Sequence, residues 1–244
     1  MCVLAFAWRP NPRWRLVVAG NRDEVHARPA QPLSRWRRAP HLLAGRDLLS
    51  GGTWMGVSEE AGRFAVVTNV RGHGAPDTGL ESRGALVVRL LTQSATGLDE
   101  GMAARFNAFN VIASEGDQAS FLANRPAFQR RALAPGVYGL SNADLDAPWP
   151  KTVRVRSGVE GWLADGKSES AELLDLLAEG RDTTLDPLAE AHLSPVFMRN
   201  SVYGTRCSTV VLVDSKGRGT IVERRYSPEA VVTGETELSF RWPS

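Results

Sequence analysis

Apolar residues dominate positions 2–8 and 14–20, and Arg9-Pro10-Asn11-Pro12-Arg13 separates the two runs. Short apolar runs flanking a break rich in Pro and Asn predict a β-hairpin, because proline interrupts ladder pairing and asparagine favours turns. The idiom recurs at 41–44, 53–57, 64–68, 109–113, 119–122 and 136–140. Each run is short and bounded by turn-forming residues, which predicts further strands. The period changes at Ser82, where Ala85, Leu86, Val88, Leu90 and Leu91 form one broad apolar face behind a capping hydroxyl, with Glu81 near the start. This is a helix signature.

Helical patterns then dominate from 152 to 191. Val153, Val155, Val159, Trp162 and Leu163 form an imperfect stripe weakened by Gly158 and Gly161, whereas Ala171, Leu173, Leu174, Leu176 and Leu177 form a better one. Strand patterns return at 209–214, 220–226 and 236–242. Strands at both ends with a helical block between them predict an α+β fold. No composition shift, repeat or linker divides the chain, so a single domain over 1–244 is expected. Pro29-Ala30-Gln31-Pro32 and residues 72–79 read as loops within it.

Composition narrows the function classes. The net charge of +2 reflects many arginines, with lysine at 151, 167 and 216 only. The densest basic stretch, Arg35-Trp36-Arg37-Arg38, reads as a solvated loop without an accompanying nucleic-acid module, so no nucleic-acid partner is expected. Cys2 and Cys207 are too few for a disulfide framework, and the four histidines lack metal-ligand spacing. Arg9 interrupts the first apolar run, which makes it a poor signal peptide. No run approaches the roughly 18 apolar residues of a membrane span. A cytoplasmic protein without a membrane span is expected.

The candidate chemistry gathers at strand ends. Removal of Met1 would place a thiol and a free α-amine on the same carbon of Cys2, giving a nucleophile that carries its own base. The plainer reading is that Cys2 is a small residue of a buried strand. Antiparallel pairing in the first hairpin brings Arg22 and Asp23 back beside Cys2. A guanidinium there favours thiolate, and a carboxylate accepts a hydrogen bond from an ammonium. Asn69, Ser141 with Asn142, and Arg206 also flank apolar runs, and neutral amides suit a developing oxyanion. Each is equally readable as a turn residue.

Taken together these segments resemble the N-R-D-E family, the transport and Golgi organisation protein 2 family. The resemblance lies in Met1-Cys2, Asn21-Arg22-Asp23-Glu24 with Arg28-Pro29, Gly45-Arg46-Asp47, Gly51-Gly52-Thr53-Trp54-Met55-Gly56, Thr68-Asn69-Val70-Arg71, Tyr138-Gly139-Leu140-Ser141-Asn142, Pro148-Trp149-Pro150-Lys151 and Tyr203-Gly204-Thr205-Arg206. That family in turn resembles the cysteine branch of the N-terminal-nucleophile hydrolases, which includes penicillin V acylases and bile-salt hydrolases. The resemblance implies a four-layer αββα sandwich with two stacked antiparallel sheets. It also implies Cys2, Asp23, Asn69, Asn142 and Arg206 as catalytic, and hairpin pairing adds Arg22 to complete the candidate catalytic set.

The implied activity is that of a hydrolase or acyltransferase acting on the C–N bond of a small acylated molecule after Met1 is removed, with no cofactor required. The alternative is a non-catalytic carrier of haem or acyl-coenzyme A on the same scaffold; a degenerate hydrolase that binds a partner is a third. One departure bears on the site. The hydrolases commonly read Gly-Arg-Asn-x-Asp where this chain reads Gly20-Asn21-Arg22-Asp23. Because strand neighbours point to opposite faces, Arg22 and Asp23 should not both face Cys2 unless a bulge intervenes.

Overall fold

Val3, Ala5, Ala7, Val17 and Ala19 all lie in one buried cluster, the every-second-residue pattern that a strand imposes. They belong to β1 (Cys2–Asn11) and β2 (Trp14–Val25), the expected hairpin. The computed structural model describes residues 2–74, 76–181 and 194–243. It sorts the chain into two compact units, Met1–Arg28 with Pro135–Ser239, and Pro29–Ala134 with Phe240–Ser244.

The second unit is built on a seven-stranded sheet whose neighbours follow the chain: β3 (Ala30–Trp36), β4 (Ala39–Asp47), β5 (Met55–Ser58), β6 (Arg63–Asn69), β7 (Phe109–Glu115), β8 (Gln118–Ala123) and β9 (Gln129–Ala132). All its pairings are antiparallel. Helices α1 (Arg83–Thr92) and α2 (Glu100–Ala103) come between β6 and β7. Ser82 caps α1 as expected, its hydroxyl accepting from the Ala85 amide at 3.2 Å. Leu86, Val87, Leu90 and Leu91 then bury against Ala65, Val67, Phe109 and Val111 of the sheet.

The segment expected as a loop at 29–32 runs instead into β3. It is an edge strand whose register shifts between Gln31 and Ser34, and an edge irregularity is where a proline such as Pro32 is tolerated. Exposure on both faces erased the alternation by which strands are recognised. The basic stretch 35–38 forms the β3–β4 hairpin tip, where Arg35 pairs with Glu59 and the Arg46 guanidinium lies 4.9 Å from the centre of the Trp36 ring.

The first unit is built on a six-stranded sheet in the order β10-β1-β2-β11-β12-β13, where β10 is Gly136–Leu140, β11 Tyr203–Asp214, β12 Arg218–Tyr226 and β13 Val232–Arg241. The chain's first strand is therefore internal, with β10 and β2 antiparallel on its two sides. Helices α3 (Pro150–Ala164) and α4 (Ser170–Leu177) cover one face, through Val155, Val159, Trp162, Leu173, Leu174 and Leu177. Burying side chains of this size is worth roughly 1.5–3 kcal/mol each. Trp162 packs against Trp14 at 5.7 Å and donates to Glu172 Oε2 at 3.0 Å, which joins both helices to the sheet.

Two glycines permit the close approaches that this packing needs. A Cβ on Gly139 would come within 2.6 Å of Thr152 in α3, and one on Gly20 within 2.7 Å of the Leu4 side chain. The fold is α+β, each sheet carrying helices of its own. The final part of the helical pattern, 182–191, lies outside the described residues. Among the described residues no helix is long and apolar enough to cross a membrane.

Candidate functional site

Register places Cys2 directly opposite Arg22, and Arg22 in turn opposite Cys207 of β11. Residues opposite one another in a ladder share a face, so the arginine lies between two thiols in one row across three strands. Two strand spacings separate the cysteines by about 10 Å, beyond the roughly 7 Å limit for a disulfide. Both are free thiols. Burial pushes each thiol up from its ordinary range. At Cys2 the Asp23 charge acts in the same direction, while Arg22 and the Asp23 backbone N–H draw it back down. Cys2 keeps partial exposure to solvent, whereas Cys207 is enclosed and feels Glu223 as well.

The main chain of Cys2 is held on both sides by the residues just beyond β10. Its nitrogen donates to Asn142 Oδ1 at 3.2 Å. Its carbonyl accepts from the Ser141 hydroxyl at 2.6 Å. Pairing between β1 and β10 begins at Leu4 opposite Leu140, so Ser141 and Asn142 continue the register with side chains where backbone pairing stops. Both are buried. Because the Cys2 nitrogen can only donate, Asn142 must turn its oxygen toward it and keep its amide as the donor end.

Asp23 reaches the site by two routes. Its backbone N–H points at the Cys2 sulfur, while its buried side chain accepts from Thr205 Oγ1 at 2.7 Å. Thr205 Oγ1 accepts in turn from the Met198 amide at 2.9 Å, and the Tyr203 hydroxyl donates to the Asp23 carbonyl at 3.0 Å. The conflict set by alternation is thus resolved without a bulge between β1 and β2 at the Cys2 end, where pairing runs unshifted from Cys2 opposite Arg22 to Trp8 opposite Leu16. Arg22 is opposite Cys2 in the ladder, and Asp23 supplies its amide. The register shift nearest the site is in β11, between Thr205 and Cys207, with Arg206 as the inserted residue.

Burial raises the Asp23 carboxyl above the ordinary carboxylate range, opposed by the charge of the amino terminus, by Lys151, by the Thr205 hydrogen bond and by Arg22. Lys151 is itself buried, in the first turn of α3, where its ammonium donates to Ser194 Oγ at 2.9 Å.

The other members of the tetrad have separate tasks. Asn21 is fully buried, donates to the carbonyls of Leu177 and Val196 at 2.8 and 3.0 Å, and accepts from Ser208 at 2.6 Å. It ties β2 to the C-terminal end of α4. Glu24 lies 3.7 Å from Arg22 and 3.9 Å from Arg28.

Of the expected catalytic set, Cys2, Arg22, Asp23 and Asn142 come together in the first unit. Arg206 belongs to that unit too, but its guanidinium donates to the carbonyls of Val25 and Arg28 at 3.0 and 3.1 Å, bracing the chain after β2. Asn69 is exposed at the end of β6 in the second unit, opposite Phe109. Sequence reading gave no role to Lys151 or Thr205. The signal for Lys151 was a cation directly after Trp149-Pro150, where a helix begins and positive charge is disfavoured. Thr205 lies in the segment Tyr203-Gly204-Thr205-Arg206 that carries the family resemblance, but nothing gave it a role before its hydrogen bond to Asp23 was known.

The family sequence model described as "Transport and Golgi organisation 2" matches residues 1–228. The chain is 33% identical over 271 residues to the human transport and Golgi organization protein 2 homolog, covering 97% of each. It is 33% identical to the bovine homolog over 259 residues, at 92% of each, and 29% identical to the fruit-fly protein over 262 residues, at 91% of each.

Proposed function

The chain belongs to the transport and Golgi organisation 2 family, and from that premise we propose that it is an N-terminal cysteine hydrolase or acyltransferase, cleaving a C–N bond of a small acylated molecule once Met1 is removed. One observation carries the reading. The nitrogen and carbonyl of Cys2 are both gripped by side chains, Asn142 and Ser141, while an amide N–H is directed at its sulfur. The backbone contacts would complete the strand end for any residue at this position, but together with an N–H directed at the sulfur they support a held nucleophile.

In the proposed reaction the α-amine of Cys2 takes the thiol proton. The thiolate, favoured by Arg22, then attacks the acyl carbonyl to form a C–S bond. The Asn142 amide is the candidate donor to the developing oxyanion. Collapse breaks the C–N bond, and the departing nitrogen takes the proton back from the α-ammonium. Water or a second amine adds to the thioester carbonyl, the C–S bond breaks, and the thiol is restored.

The test is intact-mass analysis of the Met1-free protein after exposure to activated small acyl donors. An adduct of acyl mass on Cys2, absent in Cys2→Ala, is expected. An adduct that persists in Cys2→Ala would overturn the assignment. Saturable, wholly reversible uptake of haem or acyl-coenzyme A, with no adduct, would favour the carrier reading.

A further inference from the structure

The segment 194–202, which leads into β11, is fastened at every second residue to side chains of the first unit. Ser194 Oγ accepts from Lys151 at 2.9 Å, and the Val196 carbonyl accepts from Asn21 at 3.0 Å. The Met198 amide donates to Thr205 Oγ1 at 2.9 Å, and the Met198 carbonyl accepts from the Thr205 amide at 2.8 Å. The Asn200 carbonyl completes the series, accepting from His26 Nε2 at 2.9 Å. Just beyond it, the Val202 carbonyl accepts from the His26 amide at 2.9 Å. His26 thus holds the segment by ring and main chain at once, and histidine is the residue type whose unperturbed charge change falls near neutrality.

The ring contact fixes the tautomer. A carbonyl oxygen only accepts, so Nε2 carries the proton and Nδ1 of the neutral ring keeps a lone pair. Nδ1 is buried and has no hydrogen-bond partner among the described residues. An imidazolium would place a second N–H there, a buried donor left unanswered. The ring lies close on Gly204, where a Cβ would come within 3.0 Å of Nε2 and 2.7 Å of the Met198 carbonyl. Two charged groups face the ring from neighbouring elements: Arg206 of β11, which opposes a second cation, and Glu229 of the turn between β12 and β13, which favours one. Glu229 also feels Arg199 of the segment itself. Burial acts most strongly, and with Arg206 it outweighs the Asn200 hydrogen bond and Glu229, so His26 is held below the ordinary histidine range.

We propose that His26 is an acid-released latch: neutral, it holds 194–202 against β2 and β11, and protonated, it lets the segment open. Opening breaks the two bonds between Met198 and Thr205, and Thr205 is the donor to the Asp23 carboxylate. Acid therefore loosens Asp23 beside Cys2. That consequence for reactivity rests on the proposed N-terminal chemistry; the latch itself does not. The open segment titrates near the reference histidine value of about 6.5 and the closed one lower. Between those values the open form binds more protons, so the closed-to-open ratio falls by up to about ten-fold for each pH unit below about 6.5.

Hydrogen exchange of the full chain measures that ratio, read on the peptide covering 195–205 and corrected for the intrinsic pH dependence of exchange. Wild type should lose up to about ten-fold in protection per unit from about pH 6.5 to about pH 5, while β6 and β7 keep theirs. H26Q, whose side-chain amide can still donate to Asn200 but does not titrate, should keep its neutral-pH protection through the same range. Protection that stays constant in wild type, or that falls equally in H26Q, overturns the latch. Should H26Q fail to fold or to hold the segment at neutral pH, nitrogen NMR of the wild-type ring decides, with His26 assigned by its contacts with Gly204. The Nε2–H tautomer and a titration midpoint below about 6.5 are expected. The opposite tautomer, or a midpoint at or above that value, overturns the proposal. Neither measurement needs a reaction at Cys2, so failure to form an acyl adduct would sink the catalytic reading and leave the latch standing.

Discussion

Asn142 Oδ1 lies 3.2 Å from the backbone nitrogen of Cys2, the atom that changes from amide to amine when Met1 leaves. With Met1 in place this contact completes a strand end; in the proposed mechanism, with Met1 removed, it would orient the base. Asn142→Ala should therefore lower the rate of Cys2 acylation about a hundred-fold, the usual loss on removing one preorganised amide from an acyl-transfer site. Single-turnover mass spectrometry of folded protein measures it. An unchanged rate would reduce Asn142 to a strand cap.

The same contact makes the free amine a requirement. Adding one residue in front of the mature Cys2 converts the amine back to an amide and removes the proposed base. Acylation should fall by about 10²–10⁴, the range for loss of a general base, while Arg22 and the Asp23 amide still surround the sulfur. Mass analysis of extended and mature forms side by side gives the comparison. Equal rates would show that the amine takes no part.

Asn21 has a different destiny from its neighbours Arg22 and Asp23. Its three buried hydrogen bonds reach Leu177, Val196 and Ser208, all away from the thiol. Asn21→Ala leaves two carbonyls unanswered and should cost about 3 kcal/mol of stability, taking roughly 1–3 kcal/mol for each unsatisfied buried group. Urea unfolding measures that loss. Acylation per folded molecule should stay within a factor of a few of wild type.

Much of the scaffold was readable because burial on one face enforces a period. The first hairpin, the helix capped by Ser82 and the closing strands all announced themselves in this way. The edge strands of the seven-stranded sheet did not: β3 and β9 are largely exposed, so neither pattern nor composition distinguished them from loops. The hairpin geometry was enough to bring Arg22 and Asp23 to Cys2. It was silent on the division of labour, because an amide aimed at sulfur belongs to the backbone and leaves no trace in residue identity. Lys151 and Thr205 lie more than a hundred positions from Asp23 in sequence, and packing alone brings them together.

The two thiols should separate cleanly in their response to pH. Cys207 is enclosed and its thiol is pushed far up, first by burial and then by Glu223. The unfolded chain begins to lose this proton near the ordinary thiol pKa of about 8.5, while the folded chain keeps it. The folded state thus binds more protons, and stability must fall as pH rises above that point, by up to about 1.4 kcal/mol per pH unit for one such group. Cys207→Ala removes this contribution, so its urea stability should decline less steeply than wild type between pH 8.5 and 10, whatever its offset at neutral pH. Parallel curves would show that the Cys207 thiol titrates alike in both states. In the folded wild type, thiol reagents should modify the partly exposed Cys2 first and reach Cys207 only on unfolding, with peptide mass mapping of the labelled chain deciding the order.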